Sequence, residues 1–188
     1  TEHSVMSAGS KEGEYETFKR LITEVYPTGV LSIVSDTWDL WKVLTEYIPR
    51  LKDTLLQRDG KLVIRPDSGD PVKIICGDPY HASVVGRKGV VESLADTMGT
   101  DGNGHINKVG AIYGDSINED RADRILSELV LKGLSPYNMV FGVGSYAYEY
   151  VTRDTYGFAM KATAARDASN NIVAMFKDPV TDTGGKKS

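Results

Sequence analysis

Four strings carry most of the side chains in this 188-residue chain that could do chemistry. The sharpest is Arg65-Pro66-Asp67-Ser68-Gly69. Pro66 fixes its own φ and pushes Arg65 toward extended backbone, so a cation and a carboxylate sit on a stiffened turn. An arginine there can clamp a phosphate through two nitrogens, and Asp67 can accept hydrogen bonds from two sugar hydroxyls. The same string also fits a surface Arg–Asp pair, with Asp67 or Ser68 capping a following helix. Gly114-Asp115 lets backbone approach a ligand beside a carboxylate. Alone it also fits a tight turn in which Asp115 or Ser116 caps the next helix. Phe141-Gly142-Val143-Gly144-Ser145 exposes the amides of small residues where a helix would begin, an arrangement suited to phosphate. It completes neither G-x-G-x-x-G nor a Walker motif. Arg153, eight positions after Ser145, can return to that loop or stand as a solvated helix residue. Ser35-Asp36 is the fourth tip.

Other residue types point away from other chemistries. His3 lies in a polar N-terminal stretch, where a histidine is expected to be disordered. Trp38, Trp41 and the tyrosines read as core and interface rather than as a base-stacking platform. No His/Cys cluster has metal-ligand spacing, and no G-x-S-x-G elbow is present. The net charge is −4, which argues against a nucleic acid or an anionic membrane as the main partner. A phosphate must then be held by a few local cations and amides. Cys76 is the single cysteine, so no intramolecular disulfide forms, which fits a reducing cytoplasm. No apolar run is long enough to span a bilayer, and no signal peptide is visible at the start. Both ends read as cut: the chain opens without Met and closes on the polar run Gly184 to Ser188.

Something must position these tips, and the hydrophobic pattern supplies strands and helices in alternation. Tyr15, Phe18, Leu21, Ile22 and Val25 recur at helical spacing within 11–26. Val30 to Val34 is apolar on both faces, as a buried parallel strand requires. Residues 37–56 read as helix, broken at Pro49. Lys61 to Ile64 is a second strand. The stretch 70–86 is punctuated by glycine and proline and resists assignment, and helix resumes from about Gly89 to Met98. Val109 to Tyr113 is a third strand, Asn118 to Lys132 a helix with Gly133 beyond its end, and Met139 to Phe141 a fourth strand. Phe158 to Ala165 and Ile172 to Phe176 read as two strands around a turn at 167–171, either closing a barrel or forming an antiparallel ribbon. The tips at Asp36, Asp67, Asp115 and Gly144 are 31, 48 and 29 residues apart. Two of those gaps match a βα unit of roughly 30 residues. Alternating strand and helix implies a parallel α/β sheet, an open doubly wound sheet or part of a barrel, with ligands at the C-terminal ends of the strands.

Seven strings in collinear order carry a family resemblance: EHS at 2–4, VSDTWDLW at 34–41, IRPDSGDP at 64–71, YGD at 113–115, FGVGS at 141–145, TRD at 152–154 and FKDPV at 176–180. The chain resembles the nicotinamide phosphoribosyltransferases over nearly its whole length, and the related nicotinate enzymes match these strings less closely. The resemblance implies a single partial domain, residues 1–188, from the C-terminal portion of a TIM-like barrel. It implies formation of nicotinamide mononucleotide and pyrophosphate from nicotinamide and phosphoribosyl pyrophosphate, in NAD biosynthesis. It also implies Mg²⁺ with the pyrophosphate substrate, ATP as coupled activator, a homodimer and a cytoplasmic location. Residue by residue, His3 matches the histidine that ATP phosphorylates. Asp36 matches an acidic residue facing the site beside it. Arg65, with Pro66 in its turn, and Arg153 match phosphate and pyrophosphate contacts. Asp67, Gly114 and Asp115 match the ribose positions, Gly144 and Ser145 the glycines at the nucleotide phosphate, and Lys161 and Lys177 lysines near the phosphates. Two departures matter. The family continues with glycines where this chain has Ser145 and Tyr146. The family's N-terminal domain, with the aromatic that stacks on nicotinamide, lies upstream of Glu2. The isolated chain is therefore expected to turn over little and to associate through exposed strand edges. A nicotinate-type enzyme, or a non-catalytic nucleotide-binding or assembly module, remains the alternative.

Overall fold

A computed structural model describes residues 1–144, 149–151, 153–158, 160 and 162–181, without the side chains of residues 153 and 154. The elements run α1 (His3–Ala8), α2 (Glu14–Arg20), β1 (Gly29–Val34), α3 (Leu40–Lys42), α4 (Ile48–Gln57), β2 (Gly60–Arg65), α5 (Pro71–Cys76), α6 (Val84–Met98), β3 (Val109–Tyr113), α7 (Glu119–Leu131), β4 (Met139–Phe141), β5 (Ala164–Arg166) and β6 (Ile172–Ala174). One sheet holds β1-β2-β3-β4, all parallel. A separate antiparallel ribbon pairs β5 with β6. Among the described residues the four-stranded order never reverses, so no switch point of a doubly wound sheet occurs. The chain is an α/β protein. The two terminal strands form the ribbon rather than closing the sheet, and both are exposed along their length.

The in-register pairing puts alternate side chains of the parallel strands on one shared face, and that face is a continuous apolar layer. Ile33, Leu62, Ile64, Val109 and Tyr113 are all fully buried. Each large apolar side chain so enclosed contributes about 1.5–3 kcal/mol by leaving water.

Several expectations need correction. The N-terminal stretch is ordered: α1 buries Met6 completely. The following helix begins at Glu14, not residue 11, because Ser10 takes φ 58° in the intervening turn. Pro49 does not break its helix. The backbone between α3 and α4 widens into a π-helical turn, Val43–Tyr47, in which the Ile48 N–H donates to the Val43 carbonyl. That shift in register falls just before the proline, which then sits in the first turn of α4, where its missing N–H costs nothing. The unassigned stretch contains α5, opened by Asp70 as N-cap with Pro71 behind it. Helix α6 starts at Val84 under a Ser83 cap and kinks at Gly89, whose φ of 80° no helix interior adopts. Past α7, Gly133 N–H donates to Val130 O and Leu134 N–H to Leu129 O, a Schellman closure. Residues 158 and 160 lie outside any strand, leaving the first ribbon strand shorter than expected.

One buried cation ties the layers. Arg58, 5% exposed, donates to the carbonyls of Ile22, Thr28 and Gly29. It closes the wide turn that follows α2 and fixes the start of β1. Its carbonyl accepts from Lys108 Nζ at 2.9 Å.

Candidate functional site

The register of β1 and β2 builds the site. Val34 pairs with Arg65, and the pairing continues one step as Ser35 N–H donates to Arg65 O at 2.9 Å. Asp36 and Asp67, each two residues past that rung, therefore emerge side by side. The Asp67 amide donates to Asp36 Oδ2 at 2.8 Å. The Ser68 hydroxyl donates to the same oxygen through a very short contact. Asp36 is fully buried, and its other oxygen, Oδ1, has no hydrogen-bond partner among the described residues. Neither Asp67 nor Ser68 caps a helix: Asp70 does so, accepting from Val72 and Lys73 amides.

Helix α1 brings His3 onto this pair. Its Nδ1 lies 3.1 Å from Thr37 Oγ1. Its Nε2 lies 3.6 Å from Asp67 Oδ2, 3.9 Å from Asp36 Oδ1 and 3.4 Å from Lys177 Nζ. A protonated ring pairs with both carboxylates and donates from Nδ1 to Thr37. A neutral ring with its lone pair on Nε2 accepts from Lys177. The Thr37 hydroxyl can accept or donate, so it serves both states. The arrangement can hold, release or pass a proton at one nitrogen while a cation and two anions stand beside it.

Electrostatics follow from the packing. Burial pushes the Asp67 carboxyl up, but the hydrogen bond with His3 and the charges of Arg65, His3 and Lys177 outweigh it and hold the group below its ordinary value. Asp67 therefore stays ionised at neutral pH. Arg65 reaches the Thr1 carbonyl at 3.3 Å and Glu2 Oε1 at 3.5 Å, both in the N-terminal stretch. Pro66 is buried beneath the turn. Tyr113, at the end of β3, is fully buried, and its hydroxyl donates to Gly69 O at 3.0 Å, propping the turn from below. Burial and the charges of Asp115, Asp36, Asp67 and Asp70 push its phenol far up.

The third and fourth tips line the open side. Gly142 N–H donates to Tyr113 O, and a side chain on Gly142 would begin 2.8 Å from the Gly114 Cα. Two glycines therefore allow β3 and β4 to splay into the loops at van der Waals contact. Asp115 is exposed and accepts from Ser116 Oγ at 3.1 Å. It caps no helix, because Asn118 caps α7. Gly144 is exposed, with nothing within 4 Å of where a side chain would begin. Ser145, Lys161 and the side chain of Arg153 lie outside the described residues, though Arg153 opens a short 3₁₀ turn, Arg153–Tyr156. Among the described residues no group of three His, Cys, Asp or Glu side chains is set to hold a metal ion. No helix there is long and apolar enough to cross a membrane.

His3, Asp36, Asp67, Arg65 and Lys177 are thus gathered at one end of the sheet, with Gly114, Asp115 and Gly144 on neighbouring tips. Thr37, Ser68, Tyr113 and Thr181 belong to the same assembly and were not singled out by sequence reasoning. Thr37, Ser68 and Tyr113 stand inside the quoted strings, so adjacency is their signal. Thr181 is ordinary in sequence and gains a role only through contacts. A separate hollow of about 580 Å³ lies between the end of α1, Trp38 and the ribbon, away from the two carboxylates. Trp38 lines it together with Phe176, and the two rings pack edge-to-face with centroids 5.4 Å apart.

Comparison with known proteins gives the family. The chain is similar to the nicotinamide phosphoribosyltransferase of Acinetobacter baylyi, with 52% identity over all of this chain and 39% of the relative. Similarity extends to the enzymes of that name from Mycoplasma pneumoniae, 42% identical over 97% of this chain and 41% of the relative, and Xanthomonas campestris pv. campestris, 30% identical over 97% and 38%. The chain therefore spans about two fifths of the length of the curated relatives it matches. The family model described as nicotinate phosphoribosyltransferase (NAPRTase) matches residues 1–188 from end to end, and the chain belongs to that family.

Proposed function

We propose that this chain forms the ribose-and-phosphate wall of a nicotinamide phosphoribosyltransferase, within a TIM-like barrel completed by sequence outside it. The carrying observation is the convergence of Asp36, Asp67 and Lys177, from three separate segments, on the Nε2 atom of His3 at the C-terminal end of a parallel sheet. The unreversed strand order supports the barrel reading.

The reaction displaces pyrophosphate from C1 of a ribose by a pyridine nitrogen. Positive character builds on the sugar and negative charge on the leaving group. In this reading Asp67, kept ionised, and Asp115 hold ribose hydroxyls and oppose the sugar's positive charge. Among the described side chains, Arg65 and Lys177 are cations at hand for the phosphates, with Arg153 and Lys161 joining them in this reading. Mg²⁺ enters with phosphoribosyl pyrophosphate. Such an ion would be held mainly by the substrate phosphates, with Asp67 or Asp115 as the carboxylate that would complete its oxygen ligands. His3 would be the residue that takes the γ-phosphoryl group of ATP, on the Nε2 atom that Asp36, Asp67 and Lys177 surround, with ADP as the leaving group. Coupling through that ring links ATP hydrolysis to substrate affinity. The active form is a cytoplasmic homodimer in this reading.

Calorimetric titration of the 188-residue chain with nicotinamide mononucleotide tests the proposal. Binding that Asp67→Ala and Arg153→Ala each abolish supports a ribose-and-phosphate wall. A folded chain that binds nothing supports an assembly scaffold instead. Turnover by the chain alone is expected to be negligible. Assays of the longer parent with nicotinamide and with nicotinate decide the base, and a preference for the acid would make it a nicotinate-type enzyme.

A further inference from the structure

The segment from Phe176 to Thr181 lies across the tips of β1 and β2. The Asp178 amide donates to Thr37 O and the Val180 amide to Trp38 O, each at 2.9 Å. Phe176 packs on Trp38. At its end the Thr181 hydroxyl meets the Ser68 hydroxyl at 2.8 Å. The Thr181 carbonyl lies 3.1 Å from where a side chain on Gly69 would begin, and Gly69 has φ 90°. The segment is therefore seated on the very turn that presents Asp67.

The direction of the hydroxyl chain is fixed by counting protons. Ser68 has one, and it goes to Asp36 Oδ2. Ser68 must then accept from Thr181. Asp36 Oδ2 is occupied twice, by the Ser68 hydroxyl and by the Asp67 amide. Its Oδ1 is left buried and unpartnered, 3.9 Å from His3 Nε2. An unpaired buried acceptor costs free energy unless a donor arrives. Here the donor at hand is the His3 ring.

We infer that Thr181, acting through Ser68, is a positioning residue for this site. It locks the Asp36 carboxylate so that the free oxygen faces His3, and it seats the segment that carries Lys177 to the same ring. The inference deepens the proposed function and rests on reading the His3 cluster as the transferase centre. The relay Thr181 → Ser68 → Asp36 then sets which partner the ring meets.

Nitrogen-15 NMR of the histidine rings in the folded chain tests this, because there are three histidines, His3, His81 and His105. His81 bonds to Ser83 and His105 to Asp101, so both report on folding away from the site. Thr181→Val keeps the shape and removes the hydroxyl. It is expected to shift the His3 ring signals and to speed amide exchange at Asp178 and Val180 about tenfold, leaving His81 and His105 unmoved. Thr181→Ser restores the hydroxyl and should restore both readouts. Faster exchange with unmoved His3 signals would make the latch merely structural and overturn the inference. Unchanged signals and unchanged exchange would overturn it too. Ser68→Ala should reproduce the His3 shift. If that variant unfolds, Thr181→Val alone decides. The ring signals are read without substrate, so a failure to bind nucleotide would undo the functional reading and leave this result standing.

Discussion

Glu14→Gln should stabilise the chain above neutral pH and do almost nothing near pH 4.5. Glu14 opens α2 and is 1% exposed, with one carboxylate oxygen lacking any hydrogen-bond partner among the described residues. Burial pushes its carboxyl up to about 7; hydrogen bonding to Tyr47 and the charges of Lys42 and Lys11 pull down, and Asp39 adds to the rise. A carboxyl that keeps its proton to about 7 when folded, against an ordinary 4.5, takes up a proton on folding. Below pH 4.5 it is protonated in both states and costs nothing. Between there and about 7 the unfolded chain ionises first, so stability falls as pH rises. Above about 7 the whole difference is lost, about 3 kcal/mol. Glutamine is neutral throughout and similar in shape, so it should recover about 2 kcal/mol at pH 8, the rest being offset by imperfect pairing of the amide. Urea unfolding followed by far-UV circular dichroism at pH 5 and pH 8 measures the gap directly. A wild-type-to-variant gap equal at the two pH values within about 0.5 kcal/mol would refute the reasoning.

Three further outcomes follow from the packing. Arg58→Met keeps the aliphatic stem but leaves the carbonyls of Ile22, Thr28 and Gly29 without their donor. It should cost about 3 kcal/mol and lower the melting temperature by about 10 °C, read by calorimetry. Gly89→Ala puts a methyl 2.3 Å from the Gly77 nitrogen, at φ 80° and ψ 178°. More than about 3 kcal/mol should be lost, visible as a lower urea midpoint; an unchanged midpoint would mean the kink straightens freely. Tyr113→Phe removes the hydroxyl that holds Gly69 O. A loss of about 1–2 kcal/mol is expected, with weaker nucleotide binding because the Asp67 turn loses its prop.

Much of this was legible along the chain. The strands β1 to β4 follow from apolar runs that only a covered parallel sheet tolerates, and their tips from the acidic and glycine residues that end those runs. Boundaries failed where local rules compete. Pro49 signals a break, but a single widened turn re-registers the hydrogen bonds ahead of it. Asp67, Ser68, Asp115 and Ser116 all have capping chemistry, yet Asp70 and Asn118 take the caps. Those side chains are thereby left to the site. His3 was expected to be disordered from its polar neighbours, and it is ordered because Met6 anchors α1 in the core.

Periodicity and short collinear strings are local properties, so the α/β alternation, the family and the candidate reactive side chains can be read along the chain. Which of them stand together is set by the folded arrangement. The in-register pairing of Val34 with Arg65 sets Asp36 against Asp67. The seating of residues 176–181 on those tips brings Lys177 to His3 across 174 positions of chain. Such contacts depend on register and on a crossing segment, and no spacing along the chain encodes either.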